Sequence, residues 1–230
     1  AGGFVNVDME TYSLKNITLD AFTGLLDEAE FTGWEGAGVA VQVYLKEAAG
    51  DLQRLAAWAR GGGRRITVRL VKGAYWEYET VVAGQKGWPS PVFARKAHTD
   101  WNFERCAEIV LANSDCLTAA FATHNVRSLA FALASAEAHG LAPERFELQL
   151  LYGMAEPVKK ALRAMGHVVR EYTPTGDLLP GMAYLVRRLL ENTSNEGFLR
   201  KTYVDAVSRE ALLAAPEPWP GETEPQVRAE

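Results

Sequence analysis

Six largely apolar runs alternate with helix-like segments along this chain, and that alternation limits the fold more than any other feature. The runs are Phe4–Asp8, Gly38–Tyr44, Ile66–Val71, Thr118–Ala122, Phe146–Leu151 and His167–Tyr172. Helical patterns follow at about Thr18–Glu30, Ala48–Arg60, Tyr78–Ala83 and His98–Ala112, Arg127–His139, Pro157–Met165 and Leu179–Glu191. Such alternation predicts an α/β fold with a parallel sheet and right-handed crossovers. The runs are nearly continuous, which predicts strands covered on both faces. Polar residues recur at or near the strand ends: Asp8, Gln42, Arg69, Thr123-His124-Asn125, Gln149 and Tyr172. They can converge at the mouth of a barrel but not across a flat sheet. Gly36 and Gly38 precede a strand and lack a third glycine, so no dinucleotide fingerprint is present. A full eight-unit barrel takes about 250 residues. The chain opens on a strand, and the expectation is a TIM-like (βα)8 barrel represented by its last six βα units, without the first two.

The richest strand end is Arg69-Leu-Val-Lys-Gly-Ala-Tyr-Trp76. A cation inside the strand, a second at its tip and a flat ring suit an anionic, partly aromatic ligand at the strand C-termini. With 230 residues, 48% of them hydrophobic, the chain can bury a core as one domain. Its net charge of −5 argues against nucleic acid as a partner. Arg60-Gly-Gly-Gly-Arg-Arg65 reads as a solvated helix-to-strand loop. Cys106 and Cys116 form neither a CxxC pair nor a zinc spacing, so reduced thiols and a cytoplasmic location are expected. His98 and His124 belong to no HxH or HExxH pattern, and no metal is expected. No apolar run has transmembrane length and the start does not read as a signal peptide, which leaves peripheral contact at the inner face of a membrane open. Pro216, Pro218 and Pro220 lie in an acidic stretch that reads as a linker.

Four segments together carry a resemblance: Arg69–Trp76, Arg95-Lys-Ala-His-Thr-Asp100, Phe121-Ala-Thr-His-Asn125 and Tyr184-Leu-Val-Arg-Arg-Leu-Leu-Glu-Asn192. In this order and spacing, from about Phe4 to Lys201, the chain resembles the proline dehydrogenase domain of bifunctional bacterial proline-utilization proteins. The resemblance implies residues 1–201 as barrel and substrate-clamp helix, and 202–230 as a C-terminal helix and Pro-rich linker. In the parent chain a glutamate-semialdehyde dehydrogenase domain would follow. It also implies non-covalent FAD, oxidation of L-proline to Δ1-pyrroline-5-carboxylate in proline catabolism, and a membrane quinone as electron acceptor. The glutamate and lysine that the family carries on its first two strands do not precede Phe4.

Carried over residue by residue, the resemblance makes Arg69, Asp8 and Tyr75 the catalytic set. Arg69 would lie beside flavin N5, where a fixed cation tunes the cofactor; read from sequence alone, it pairs with Asp8 or reaches solvent. Arg187 and Arg188 would clamp the proline carboxylate, which guanidinium forks fit. Glu191 would face the substrate amine and touch the flavin, though the same triplet could be a surface ion pair. Tyr172 and Leu151 would wall the substrate pocket, or serve as core. Gln42 and Gln149 would bond the isoalloxazine edge, or simply end their strands. Val71, Lys72, Gly73 and Ala74 would approach the FAD, and Trp76 would pack beside it. Arg95 and Lys96 would meet its pyrophosphate, and Thr123, His124 and Asn125 its diphosphate and adenosine. Asn125 equally suits a helix N-cap. Two other functions stand beside this one: a non-catalytic FAD-binding barrel fragment, and a barrel lyase or aldolase using Lys72 as a Schiff-base nucleophile.

Overall fold

The computed structural model describes residues 2–177, 181, 182, 184, 186 and 208–223. Six parallel strands form one sheet: β1 (Val5–Val7), β2 (Ala37–Gln42), β3 (Ile66–Val71), β4 (Leu117–Ala122), β5 (Glu147–Leu151) and β6 (Val169–Tyr172). Their spatial order is their chain order. A doubly wound sheet reverses order at a switch point; this one does not, and curls as a section of a barrel. The helices between the strands are α1 (Tyr12–Leu26), α2 (Ala48–Gly61), α3 (Trp76–Lys86), α4 (Lys96–Ala112), α5 (Val126–Ala138) and α6 (Glu156–Ala164).

The register divides the sheet into two unlike faces. Val39, Val41, Val68, Leu70, Ala119, Phe121, Leu148 and Leu150 alternate onto the outer face and are buried under the helices. There they meet Leu52 and Leu55 of α2 and Phe103 and Val110 of α4 in one core. Fully burying each such side chain contributes about 1.5–3 kcal/mol. The inner face carries Asn6, Gln42, Thr67, Arg69, Glu147, Gln149 and Arg170. Coverage on both faces, expected for all the strands, holds throughout β2, whereas the other five carry half-buried or exposed positions. Small residues at the alternate inward positions, such as Ala40, Ala120 and Ala122, made the runs look continuous while leaving room on the inner face for polar neighbours.

Helix α1 also departs from expectation, starting at Tyr12 and ending at Leu26 instead of spanning 18–30. Its buried stripe is Lys15, Leu19, Phe22 and Leu26, and a lysine in the first turn disguised the start. Lys15 is tolerated there because its ammonium bonds Glu47 at 2.7 Å and Asp51 at 2.9 Å, at the start of α2. Helix α3 runs from Trp76 to Lys86, longer than the expected 78–83, and stops at Gly87, whose φ of 66° forms the left-handed cap. Of the last expected helix, residues 181, 182, 184 and 186 are described and helical. Arg187, Arg188 and Glu191 lie outside the described residues. In the tail, Ser208 caps a short helix, Arg209–Leu213. The proline-rich stretch beyond it lies against the body: Glu217 pairs with Arg95 at 2.6 Å, and Trp219 meets Phe93 edge-on at 5.3 Å.

Candidate active site

The C-terminal ends of the strands open into a cavity of about 720 Å³. It gathers, from the residues expected on sequence grounds, Asp8, Gln42, Arg69, Val71, Lys72, Gly73, Ala74, Tyr75, Thr123, His124, Gln149, Leu151 and Tyr172. Their convergence follows from the register: Gln42, Val71, Ala122 and Gln149 are neighbours across four strands, as are Leu151 and Tyr172 across the next pair.

Arg69 points inward from β3, and its guanidinium pairs with Asp8 at the end of β1. Its Nε is buried without a hydrogen-bond partner. Gln42 is 3% exposed; its amide donates to the Met9 carbonyl at 3.1 Å, while its Oε1 is likewise buried and unpartnered. The Tyr75 hydroxyl donates to Glu10 Oε2 at 2.5 Å. The turn after β3 is pinned by the Tyr44 N–H, which donates to the Lys72 carbonyl at 2.9 Å. At Gly73 φ is 119°, and a Cβ would come within 2.5 Å of the Tyr44 ring, so only glycine fits.

Lys72 is the most perturbed group of the mouth. Burial pushes its ammonium down from the ordinary 10.5 to about 8, against the attraction of Asp100, with Lys96 assisting the fall. Burial raises the Asp100 carboxyl, but Lys72 and Lys96 outweigh it and hold the group below its ordinary value. The Lys72 ammonium also stands 5.6 Å from the centre of the Phe103 ring. On β5, Gln149 donates to Glu147 at 3.0 Å. His124 Nε2 accepts the Leu151 N–H at 3.0 Å, which puts the proton of a neutral ring on Nδ1. Asn125 lies off the cavity and caps α5, accepting the Ser128 N–H at 3.0 Å.

Trp76, Arg95 and Lys96 are not brought to the cavity. Trp76 opens α3, half in solvent, and its indole donates to the Phe93 carbonyl at 2.7 Å. Arg95 faces the tail, and Lys96 bonds Asp100 at 2.7 Å one helical turn away. Sequence reasoning overlooked three contributors: Glu10, Met9 and Asp100. The first two sit beside Asp8 at a strand end, a position that could have flagged them. Asp100 stood in one of the segments that carry the resemblance but was given no role, because its partner Lys72 lies on another element. Among the described residues no cluster of His, Cys, Asp and Glu could hold a metal, and no helix is long and apolar enough to cross a membrane.

The fold and mouth define a parallel α/β barrel section with a polar ligand site at its strand ends. The chain belongs to the proline dehydrogenase family, whose sequence profile matches residues 1–201. It is 36% identical over 219 residues to the bifunctional protein PutA of Klebsiella aerogenes, an alignment covering 92% of this chain and 17% of that protein. It is 33% identical over 198 residues to the proline dehydrogenase of Deinococcus radiodurans, covering 86% of the chain and 56% of that protein. The chain thus spans about a sixth of the bifunctional relative's length. Among solved structures, proline utilization A from Bdellovibrio bacteriovorus, inactivated by N-propargylglycine, superposes with a TM-score of 0.89 at 51% identity. That match covers 93% of this chain and 22% of the solved one.

Proposed function

We propose that this chain builds the flavin- and substrate-binding mouth of an FAD-dependent enzyme that oxidises L-proline to Δ1-pyrroline-5-carboxylate. The observation that carries the reading is the pair of buried, unpartnered atoms at the mouth, Gln42 Oε1 and Arg69 Nε. Leaving buried polar atoms unpaired costs about 1–3 kcal/mol each. A ligand edge bearing both a donor and an acceptor, such as the isoalloxazine rim, would satisfy them together. Gly73 and Ala74 line the cavity without bulky side chains, and Lys72 supplies a cation for a phosphate. The residues present therefore fit FAD, with Gln42, Arg69, Lys72 and Gly73 as its principal holders and His124 and Thr123 at the neighbouring strand end.

Bound there, FAD supplies the acceptor for a hydride. Proline loses that hydride from C5 while the amine lone pair forms the C=N bond and the N–H proton departs. Asp8 fixes the cation at Arg69, and Glu10 fixes the Tyr75 hydroxyl, so both groups meet the substrate in one orientation. Tyr172 and Leu151 give the aliphatic ring an apolar wall. Arg187 and Arg188 hold the carboxylate and Glu191 the amine. The electrons then pass to a membrane quinone at the cytoplasmic face, and a glutamate-semialdehyde dehydrogenase domain of a longer parent protein would consume the product in proline catabolism.

Anaerobic mixing with L-proline tests the reading: the yellow flavin band should bleach. A bound flavin that proline leaves oxidised would choose the non-catalytic scaffold instead. The depressed pKa of Lys72 keeps one further reading in play, a Schiff-base lyase, because a lysine near 8 has an accessible nucleophilic amine. Borohydride trapping of a carbonyl substrate on Lys72 would select it.

A further inference from the structure

Outside the residues assigned to the mouth, one buried carboxylate has no evident structural purpose of its own. Glu79 lies in the first turn of α3 and is 5% exposed, yet no lysine or arginine among the described residues pairs with it. A buried charge without a counter-ion is costly and persists only where hydrogen bonds or dipoles compensate it. Here the compensation comes from a different helix. Glu79 Oε1 accepts the N–H of Tyr12, the first residue of α1, at 2.7 Å. That N–H is one of the orphan donors of a helix start. The local cap residue, Thr11, leaves it unserved, since its hydroxyl contacts Ser13 Oγ instead. The positive end of α1 thus faces the carboxylate.

What this contact holds together is the reason to single it out. Glu79 is one turn beyond Tyr75, with its own N–H donating to the Tyr75 carbonyl at 2.9 Å. Tyr12 directly follows the loop bearing Asp8 and Glu10, which contact Arg69 and the Tyr75 hydroxyl. We propose that Glu79 is a positioning residue, a latch that fastens the β1–α1 loop to the β3–α3 turn and sets Asp8 and Glu10 against Arg69 and Tyr75. Without it, the described contacts left to the loop are its exposed side-chain pairs, the Gln42 bond to Met9, the buried Met9 side chain and the Tyr12 hydroxyl bond to Glu47, none of which fixes the Tyr12 N–H to the β3–α3 turn. The proposal deepens the proline reading and rests on it for its catalytic consequence.

The test uses the full chain with FAD and follows three readouts: amide hydrogen exchange over residues 8–12, KM and kcat for proline, and the Kd of cyclopentanecarboxylate, a proline isostere that cannot be oxidised. Glu79→Ala should speed exchange at Tyr12 and raise KM and Kd about tenfold, the scale of one charge-assisted hydrogen bond, with kcat changed much less. Glu79→Gln keeps an acceptor oxygen and should recover most of the loss. In a Tyr75→Phe background, where one clasp of the loop is already open, Glu79→Ala should add little. Unchanged exchange at Tyr12, or a penalty that adds in full to that of Tyr75→Phe, overturns the latch. If Glu79→Ala does not fold, Glu79→Leu, which fills the space but has no acceptor, should show faster exchange at Tyr12, and no change there overturns it equally. If proline fails to bleach the unsubstituted protein, the proline reading falls on its own, and the exchange measurement still decides whether Glu79 holds the loop.

Discussion

Asp100→Asn should move the pH at which the mouth loses its affinity for an anionic cofactor, and the direction follows from the Lys72 environment. Burial holds the Lys72 ammonium at about 8, with Asp100 the largest opposing influence. At pH 7 the protonated form therefore outweighs the neutral one by about ten to one. Removing the Asp100 charge leaves burial and Lys96 acting unopposed by it. An opposite charge in contact is worth roughly 1–3 pKa units, so the midpoint should fall from about 8 to about 5–7. Because the ammonium is the form that binds phosphate, FAD affinity in the unsubstituted chain should decline as pH rises through about 8. In Asp100→Asn the same decline should occur below neutrality, and in Lys72→Met it should vanish. A charge-assisted bond contributes about 1.5–3 kcal/mol, or roughly ten- to hundredfold in affinity across each transition. Fluorescence quenching of FAD, titrated from about pH 4.5 to 9.5 to span both midpoints, reads all three profiles. The linkage also has a sign for the unliganded chain: the native pKa is depressed, so the unfolded chain binds more protons between about 8 and 10.5. Its stability should accordingly rise with pH across that window. Superimposable profiles for the unsubstituted chain and Asp100→Asn, or a shift of the variant to higher pH, would overturn this account of Lys72.

Arg69→Met should keep FAD but lower its reduction potential and turnover, because the fixed cation beside it is lost; a spectroelectrochemical titration with an unchanged potential sinks that placement. Lys15→Met should cost about 3 kcal/mol in urea unfolding, since it leaves Asp51, itself 2% exposed, with only the exposed Arg54 for a partner. A loss within the roughly 0–1 kcal/mol of a surface pair would show the network to be solvated. Arg187→Met or Arg188→Met should weaken cyclopentanecarboxylate binding roughly ten- to hundredfold with normal flavin content; normal inhibitor binding in either would remove the clamp.

What the sequence displayed was the part of the fold carried by local period. The six strands were legible within a residue or two because short apolar runs recur between helical patterns, and α2, α4, α5 and α6 because their apolar stripes stand out against polar neighbours. The start of α1 was hidden because Lys15 occupies a stripe position and is made apolar-compatible only by Glu47 and Asp51, which lie 32 and 36 residues away. The polar inner face was hidden for a related reason: Ala40, Ala120 and Ala122 count as apolar in any window but leave space rather than fill it. Strand-end residues such as Arg69, Gln42 and His124 could be placed at one mouth because topology alone sends strand ends together. Trp76, Arg95 and Lys96 sit beyond strand ends, in turns and helix starts, where direction depends on side-chain partners that no spacing reveals.

The buried lysines separate structural charge from charge held for a ligand. Lys159, fully buried on α6, has Glu156 at 2.7 Å and Glu171 at 2.8 Å. Burial lowers its pKa, yet the two carboxylates outweigh burial and raise it above its ordinary value. Its charge is satisfied within the fold, as expected for a lysine that ties a helix to a strand. Lys72 is the opposite case. It keeps 21% of its side chain exposed, yet burial lowers its pKa to about 8, and Asp100, which also bonds Lys96, offsets that only in part. A fold under selection only for stability would have no use for an under-compensated ammonium at that place, since an apolar residue would serve better. A group poised in this way, in a cleft and beside unpartnered polar atoms, is the pattern of a functional site. An anion bound at the mouth would raise the Lys72 pKa again, so cofactor binding below about pH 8 should strengthen the native state as well as load it, and uptake of a fraction of a proton near that pH is its calorimetric signature. If binding heats are independent of buffer ionisation enthalpy at about pH 8, Lys72 does not meet the anion.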